Sequence, residues 1–136
     1  MFQFTILQQD TKTKARTGVI TTTHGTIKTP AFIPVATQAA IKGLSTAQLQ
    51  EIGFDALLCN TYHLYLRPGE TTIQKLGGLH TFMHWPKPIF TDSGGFQVFS
   101  LNDGLCEIDD EGVTFTSHID NSRHRDQVGN TLHRLS

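Results

Sequence analysis

Three short apolar runs, each followed at once by a polar loop, constrain the fold of this chain more than any other feature. They lie at 31–35, 54–59 and 89–91 and are short enough to be buried strands. Segments with helical signals, 45–53 and 69–78, lie between them. Strands that alternate with helices are typical of a parallel sheet, so the sequence predicts an α/β fold.

The first helical segment has recognisable ends. Ser45 precedes it as an N-cap, Leu49 and Ile52 lie on an apolar stripe, and Gly53 ends it. The second segment is predicted as one helix closed by two glycines.

Antiparallel elements are predicted on both sides of this α/β region. Alternating polarity at 2–7, 16–20 and 26–34, with a turn at His24-Gly25, predicts an N-terminal sheet. After residue 101, the segment 106–120 alternates like a hairpin with its turn at 110–112, whereas 125–136 has no clear period.

Composition excludes several classes of protein. The chain has 136 residues, of which 38% are apolar and 17% charged, which matches neither a disordered protein nor a membrane span. The first residues do not look like a secretory signal, so we expect a cytoplasmic protein. Cys59 and Cys106 are far apart in sequence and predict no metal site, and a net charge of −1 gives no sign of nucleic-acid binding.

The chemistry is expected in the loops after the three strands, because the carboxyl ends of parallel strands meet at one edge of the sheet. These loops carry Thr37 and Gln38, then Asn60 and His63, then Asp92, Ser93, Phe96 and Gln97.

The third loop is the most informative. Asp92 can accept two N–H groups, Gly94-Gly95 allows a flat ligand to approach the backbone, and Phe96 offers a stacking face. Together they suit a purine-like heterocycle. The alternative is an ordinary turn, which the same residue types also form.

The sequence gives no reason to assign a catalytic role to several other residues. We expect His63 to be structural and His80 and His84 to lie at the surface or an interface. Lys42 and Arg67 contact phosphate or are simply solvated. Phe82 and Met83 are core residues or an oligomer contact.

Four segments in order resemble those of bacterial-type tRNA-guanine transglycosylases: TPAFIPVATQAAIKGLS, LLCNTYHLYLRPG, LHTFMHWPKPIFTDSGGFQVFSL and GVTFTSHID. The resemblance implies the N-terminal part of a (β/α)8 TIM barrel with an N-terminal antiparallel sheet and an inserted β-hairpin. Residues 1–136 then form a single partial domain. Its parts are the sheet at about 1–30, the first three barrel strands at about 31–101, and the insertion with a divergent tail at about 102–136.

The resemblance also implies a set of site residues. Asp92 corresponds to a proton acceptor that holds the incoming base, and Asn60 to a residue that supports it. The base-binding loop corresponds to Ser93, Gly94, Gly95, Phe96, with Gln97 close behind, and Val35 and Leu58 correspond to apolar walls near the ribose of the target nucleotide.

The implied function is exchange of guanine at the anticodon wobble position of tRNA for a 7-deazaguanine, either queuine or its precursor. The implied partners are tRNA, the 7-deazaguanine base and, at full length, a second copy of the chain, with Phe82 and Met83 at the dimer contact. The family's nucleophilic aspartate and the ligands of its structural zinc lie later than residue 136. We therefore expect neither a metal nor a cofactor in this chain, and no membrane.

The segment RDQVGNTLHRLS departs from the family pattern. This departure predicts a truncated or frameshifted product that is inactive alone. Two alternatives remain open. One is a non-catalytic subunit or binding module that pairs with a complete homologue, and the other is a broken gene product without function. The DNA beyond codon 124, read in all frames, would separate them.

Overall fold

The computed structural model describes residues 1–101 and 106–127 as a mixed α/β structure with three separate three-stranded sheets. The side chains described are those of 1–101 and 106–125.

The N-terminal sheet is antiparallel and confirms the prediction from the alternating pattern. Its strands are β1 (Gln3–Gln9), β2 (Arg16–Thr22) and β3 (Gly25–Thr29), in that order across the sheet. Most of this sheet is exposed, and Ile27 of β3 is its fully buried apolar residue among those described.

The central sheet is parallel, as predicted, and contains β4 (Val35–Ala36), β5 (Leu57–Cys59) and β6 (Ile89–Thr91) in sequence order. The helices in and after it are α1 (Thr46–Ile52), α2 (Thr61–Leu66), α3 (Glu70–Lys75), α4 (Gly78–Met83) and α5 (Gly95–Ser100). Helix α1 begins with a capping box between Ser45 and Gln48 and ends at Gly53 in the left-handed conformation, which confirms its predicted ends.

Two of the predicted strands were too long. The run at 31–35 was wrong as a buried strand, because Phe32 is 76% exposed and regular pairing is limited to β4. Pro30 and Pro34 explain this, since proline has no N–H to donate to a sheet ladder. In the second run, pairing starts only at Leu57.

The predicted helix at 69–78 was also wrong as a single helix. Two short helices, α3 and α4, are separated at Gly77, which has a φ of 90°. Helix α2 was not predicted, because its sequence TYHLYL follows a strand so closely that it was interpreted as a loop.

The core lies on one face of the parallel sheet. Ala36, Leu57 and Cys59 point to this face and pack with buried residues from the first four helices; the cluster is Ala36, Leu49, Leu57, Cys59, Leu64, Ile73, Leu79, Met83 and Trp85. The opposite face carries Val35 and Leu58, which are register partners and remain more exposed.

The third sheet contains β7 (Glu107–Asp109), β8 (Gly112–Thr116) and β9 (Arg123–Gln127). The predicted hairpin is confirmed as β7–β8. Strand β9 was missed, since its sequence RHRDQ is wholly polar. The remainder of the tail, 128–136, lies outside the described residues. A second core cluster joins this sheet to the helices, through Tyr62, Val98 and Phe115.

Within residues 1–101 and 106–127 the parallel sheet has three strands and is open, so no closed barrel is seen. None of the described helices has both the length and the apolar character needed to cross a bilayer.

Candidate functional site

Asp92 follows β6 directly, and its carboxylate is held by residues that follow the neighbouring strand β5. The Asn60 side-chain amide donates to Oδ2 at 2.6 Å, and the Thr61 backbone N–H donates to Oδ1 at 3.0 Å. The Thr61 hydroxyl donates to the backbone carbonyl of Asp92. These contacts fix both the side chain and the main chain of Asp92 at the carboxyl edge of the sheet.

Asn60 is itself immobilised. It is 4% exposed, caps α2, and accepts a hydrogen bond from the His63 backbone N–H at 3.1 Å through Oδ1. Both ends of its amide are therefore used, which orients the N–H₂ group toward Asp92.

The loop after Asp92 folds back on its carboxylate. Gly94 donates its N–H to Asp92 Oδ1 at 3.1 Å, and Gly95 donates to Ser93 Oγ at 3.4 Å. Both glycine amides are thus engaged within the loop. A carboxylate accepts roughly four hydrogen bonds. The three from Asn60, Thr61 and Gly94 leave capacity on Oδ2 for a ligand N–H.

The remaining predicted loop residues follow Asp92 in the chain. Ser93 precedes α5, and Phe96 and Gln97 lie in its first turn. Phe96 is 78% exposed, so its ring face is open to a ligand, whereas Gln97 is half-buried. Ser93 is exposed. The loop thus combines a carboxylate acceptor, a hydrogen-bonded turn and an exposed aromatic ring.

Val35 and Leu58 lie side by side on the sheet face away from the core, two strands and one strand respectively from β6, which leads into Asp92. Val35 is 55% exposed, and Leu58 is half-buried. They form an apolar surface at the same strand ends. Thr37 and Gln38, after β4, are exposed.

The pKa values of two neighbours of Asp92, Cys59 and His63, are shifted in the direction that favours their neutral forms. Burial, and then the negative charge of Asp92, raise the pKa of the Cys59 thiol to about 12. Burial, and then the nearby His118, lower the pKa of His63, while Asp92 opposes that shift.

The described residues do not fit the structural zinc that the resemblance implies for longer proteins. In residues 1–101 and 106–127 no three His, Cys, Asp or Glu side chains come together to hold a metal. Cys59 is buried with its Sγ 3.4 Å from Met83 Sδ, and its raised pKa disfavours the thiolate that zinc requires.

The predictions missed Thr61, which is buried and holds Asp92 through two contacts. Its place immediately after Asn60 at a strand end was the available signal.

The other predicted histidines lie elsewhere. His80 and His84 line a separate cavity of about 420 Å³ with Gln50, Thr81, Trp85 and Pro86, which shares no residue with the Asp92 loop.

Comparison with known proteins gives a consistent result. The sequence model of the family described as queuine tRNA-ribosyltransferase matches residues 10–130. A protein named queuine tRNA-ribosyltransferase from Moorella thermoacetica is 60% identical over 121 residues, which are 89% of this chain and 32% of that protein.

Two further relatives with the same name show the same pattern. The protein of Fusobacterium nucleatum is 60% identical over 116 residues, covering 85% of this chain and 31% of its own length. That of Desulforudis audaxviator is 55% identical over 121 residues, covering 89% and 32%. The chain spans about a third of the length of these curated relatives. By the extent of the family match and this level of identity, the chain belongs to the queuine tRNA-ribosyltransferase family.

Proposed function

We propose that this chain supplies the base-recognition part of an enzyme that exchanges guanine at the wobble position of tRNA for a 7-deazaguanine. The observation that carries the proposal is the Asp92 carboxylate, which is fixed by Asn60 and Thr61 and is followed in the chain by the exposed ring of Phe96. The relatives' name supports tRNA as the substrate whose ribosyl group is transferred to the incoming base. Such a reaction takes place in the cytoplasm, where tRNA is modified.

Each site residue has a proposed role. Asp92 accepts an N–H of the base and later its proton, Phe96 stacks on the heterocycle, and Gly95 allows the base to lie close to the backbone. Gly94, which is buried against Tyr62, shapes the loop around the carboxylate. Ser93 and Gln97 flank the base, and Asn60 holds Asp92. Val35 and Leu58 contact the ribose, because they form the apolar surface at the same strand ends.

The exchange requires a group that holds the ribosyl unit after guanine has left. When the glycosidic bond breaks, guanine leaves with the bond electrons and takes up a proton from water, and a carboxylate forms a new bond to C1′. The ring nitrogen of the incoming base then attacks C1′, displaces the carboxylate and loses its proton. We assign the nucleophile to an aspartate in the part of the relatives' sequence that this chain does not cover.

Three structural proposals accompany this function. The open sheet of β4, β5 and β6 forms the first three strands of a (β/α)8 barrel, preceded by the sheet at about 1–30 and followed by an insertion from about 102. A structural zinc is bound by residues outside 1–136. The enzyme is a homodimer in which Phe82 contributes to the contact.

The proposal is tested in a family-length enzyme, meaning a polypeptide of the relatives' length that carries residues 10–130 of this chain in place of the matching segment. Asp92→Asn should slow incorporation of labelled guanine into tRNA at least about a hundredfold, because an amide cannot accept the proton. Asp110→Asn, in an exposed turn, is the matched control. Near-normal turnover of Asp92→Asn would contradict the proposed role.

A further inference from the structure

Tyr62 lies between the Asp92 loop and the third sheet. It follows Thr61 on α2 and is 3% exposed. On one side it contacts Gly94 so closely that a Cβ on that glycine would lie 2.8 Å from the Tyr62 backbone nitrogen and 2.9 Å from its Cβ. The backbones of Tyr62 and Gly94 therefore pack directly against each other, so the position of one restricts the position of the other.

On its other side, Tyr62 is fixed by the segment after β8. Its hydroxyl shares a hydrogen bond of 2.9 Å with His118 Nδ1, and the two rings stack with centroids 5.6 Å apart. The Phe115 ring lies 5.3 Å from the Tyr62 ring. The polar tip of Tyr62 is thus anchored outside the element that carries it.

The segment that presents His118 is a compact turn. Ser117 is 1% exposed, its N–H donates to Ser122 O at 2.8 Å, and its carbonyl accepts from the Asn121 N–H at 2.9 Å. The Ser122 hydroxyl donates to Asp120 at 2.6 Å. This network orders the backbone on both sides of His118.

We propose that His118 is a positioning residue for the base-exchange site: through the Tyr62 hydroxyl it holds α2 and Gly94 in the arrangement that fixes Asp92. The proposal rests on the function proposed above. Among the described residues, the hydrogen bonds to the Asp92 carboxylate come from Asn60, Thr61 and Gly94, and none comes from His118. Its effect therefore passes through Tyr62.

The first test measures order in the loop and does not need activity. The Gly94 and Thr61 N–H groups both donate to Asp92 Oδ1, so their hydrogen exchange in this chain reports how firmly the carboxylate is held. We expect exchange about tenfold faster in Tyr62→Phe and in His118→Ala, the loss expected for one hydrogen bond. The Leu49 N–H, bonded to Ser45 O at 3.0 Å in α1, should be unchanged.

Conservative variants separate positioning from loss of folding. His118→Asn places an amide near the position of Nδ1 and should restore slow exchange, whereas His118→Gln places it near Nε2 and should not. Tyr65→Phe is the matched control. It removes a tyrosine hydroxyl from the same helix that bonds Arg125 O at 3.3 Å, away from Gly94, and should have no effect on the Gly94 amide.

The second test uses the family-length enzyme. We expect His118→Ala and Tyr62→Phe to raise KM for the free base about tenfold with little change in KM for tRNA, and the double variant to be no worse than either single. Unchanged Gly94 exchange together with unchanged KM in both single variants would overturn the proposal. If the unsubstituted enzyme exchanges no guanine, the proposed function fails, while the Gly94 exchange rate still decides the positioning role.

Discussion

Glycine at position 94 meets two separate steric requirements. Its φ of 70° lies in the left-handed region, where a side chain is strained. Its α-carbon also lies against the backbone of Tyr62, so that a Cβ would approach the Tyr62 nitrogen to 2.8 Å. The Gly94 N–H also donates to Asp92 Oδ1. One residue thus closes the loop around the carboxylate.

We therefore expect Gly94→Ala to lower the free energy of unfolding by more than its backbone strain alone. Gly43→Ala is the matched control, because Gly43 has a φ of 81° and open space around the Cβ position. The control should cost about 1 kcal/mol and Gly94→Ala about 1–3 kcal/mol more, from overpacking. Equal costs in urea unfolding would show that Tyr62 can move away.

The stacked pair of His24 and His80 predicts a pH dependence. The two rings lie 3.6 Å apart and 12° from parallel, and the His80 Nε2 is buried without a partner in the described structure. Burial, and then His24, lower the pKa of His80 below its ordinary 6.5, while the Lys87 backbone opposes this. His80 is therefore neutral in the folded state at a pH where it is protonated in the unfolded state.

The sign of the effect follows from the lowered pKa. The unfolded state binds more protons below about pH 6.5, so stability is complete above that value and is lost as pH falls. Between about pH 8 and about pH 5, the urea midpoint of His80→Gln should fall less than that of the unsubstituted chain. His84→Gln, at an exposed position, should keep the original slope, and an unchanged slope in His80→Gln would count against the argument.

At the scale of elements, the sequence predicted those whose ends carry local signals. Helix α1 has a cap and a terminal glycine, and β6 has an apolar run after Pro88. The sequence did not predict elements whose formation depends on tertiary contacts. The wholly polar β9 pairs with β8, and its Arg125 forms a 2.9 Å ion pair with Asp109 of β7.

The site shows the same division. Asp92 and Asn60 could be predicted, because polar residues that directly follow parallel strands meet at one edge. The roles of Thr61, Tyr62 and His118 could not, because they depend on how α2 packs between the Asp92 loop and the third sheet. No local pattern in TYHL or TSHID indicates that contact.

Helix α4 carries the proposed dimer contact. Met83 lies in the core, 7% exposed, so it is not available to a partner, whereas Phe82 is half-buried at the edge of that core. In a family-length enzyme, Phe82→Ala should shift the protein toward monomer at low concentration, because buried aromatic side chains carry much of an interface's energy. Ile108→Ala, which truncates an exposed apolar residue of β7, is the control. An unchanged sedimentation profile for Phe82→Ala would contradict the contact.

At the scale of the whole molecule, the parallel sheet is packed on one face and open on the other. The open face carries Val35, 55% exposed, beside Leu58. The Asp92 loop lies at the carboxyl edge of this sheet, and under the proposed function a base bound there would lie near residues 35 and 58, with solvent beyond them. A reaction at this site that must exclude water needs further residues to enclose it.

The most direct test compares labelled-guanine incorporation into tRNA by the purified 136-residue chain and by the family-length enzyme. We expect time-dependent incorporation by the family-length enzyme and none by the chain, because Asp92 is engaged with the base and is poorly placed to hold C1′ from the opposite side. Incorporation by the chain, free of host enzyme, would contradict the division between base recognition and nucleophile. Absence of incorporation by the family-length enzyme would contradict the function itself.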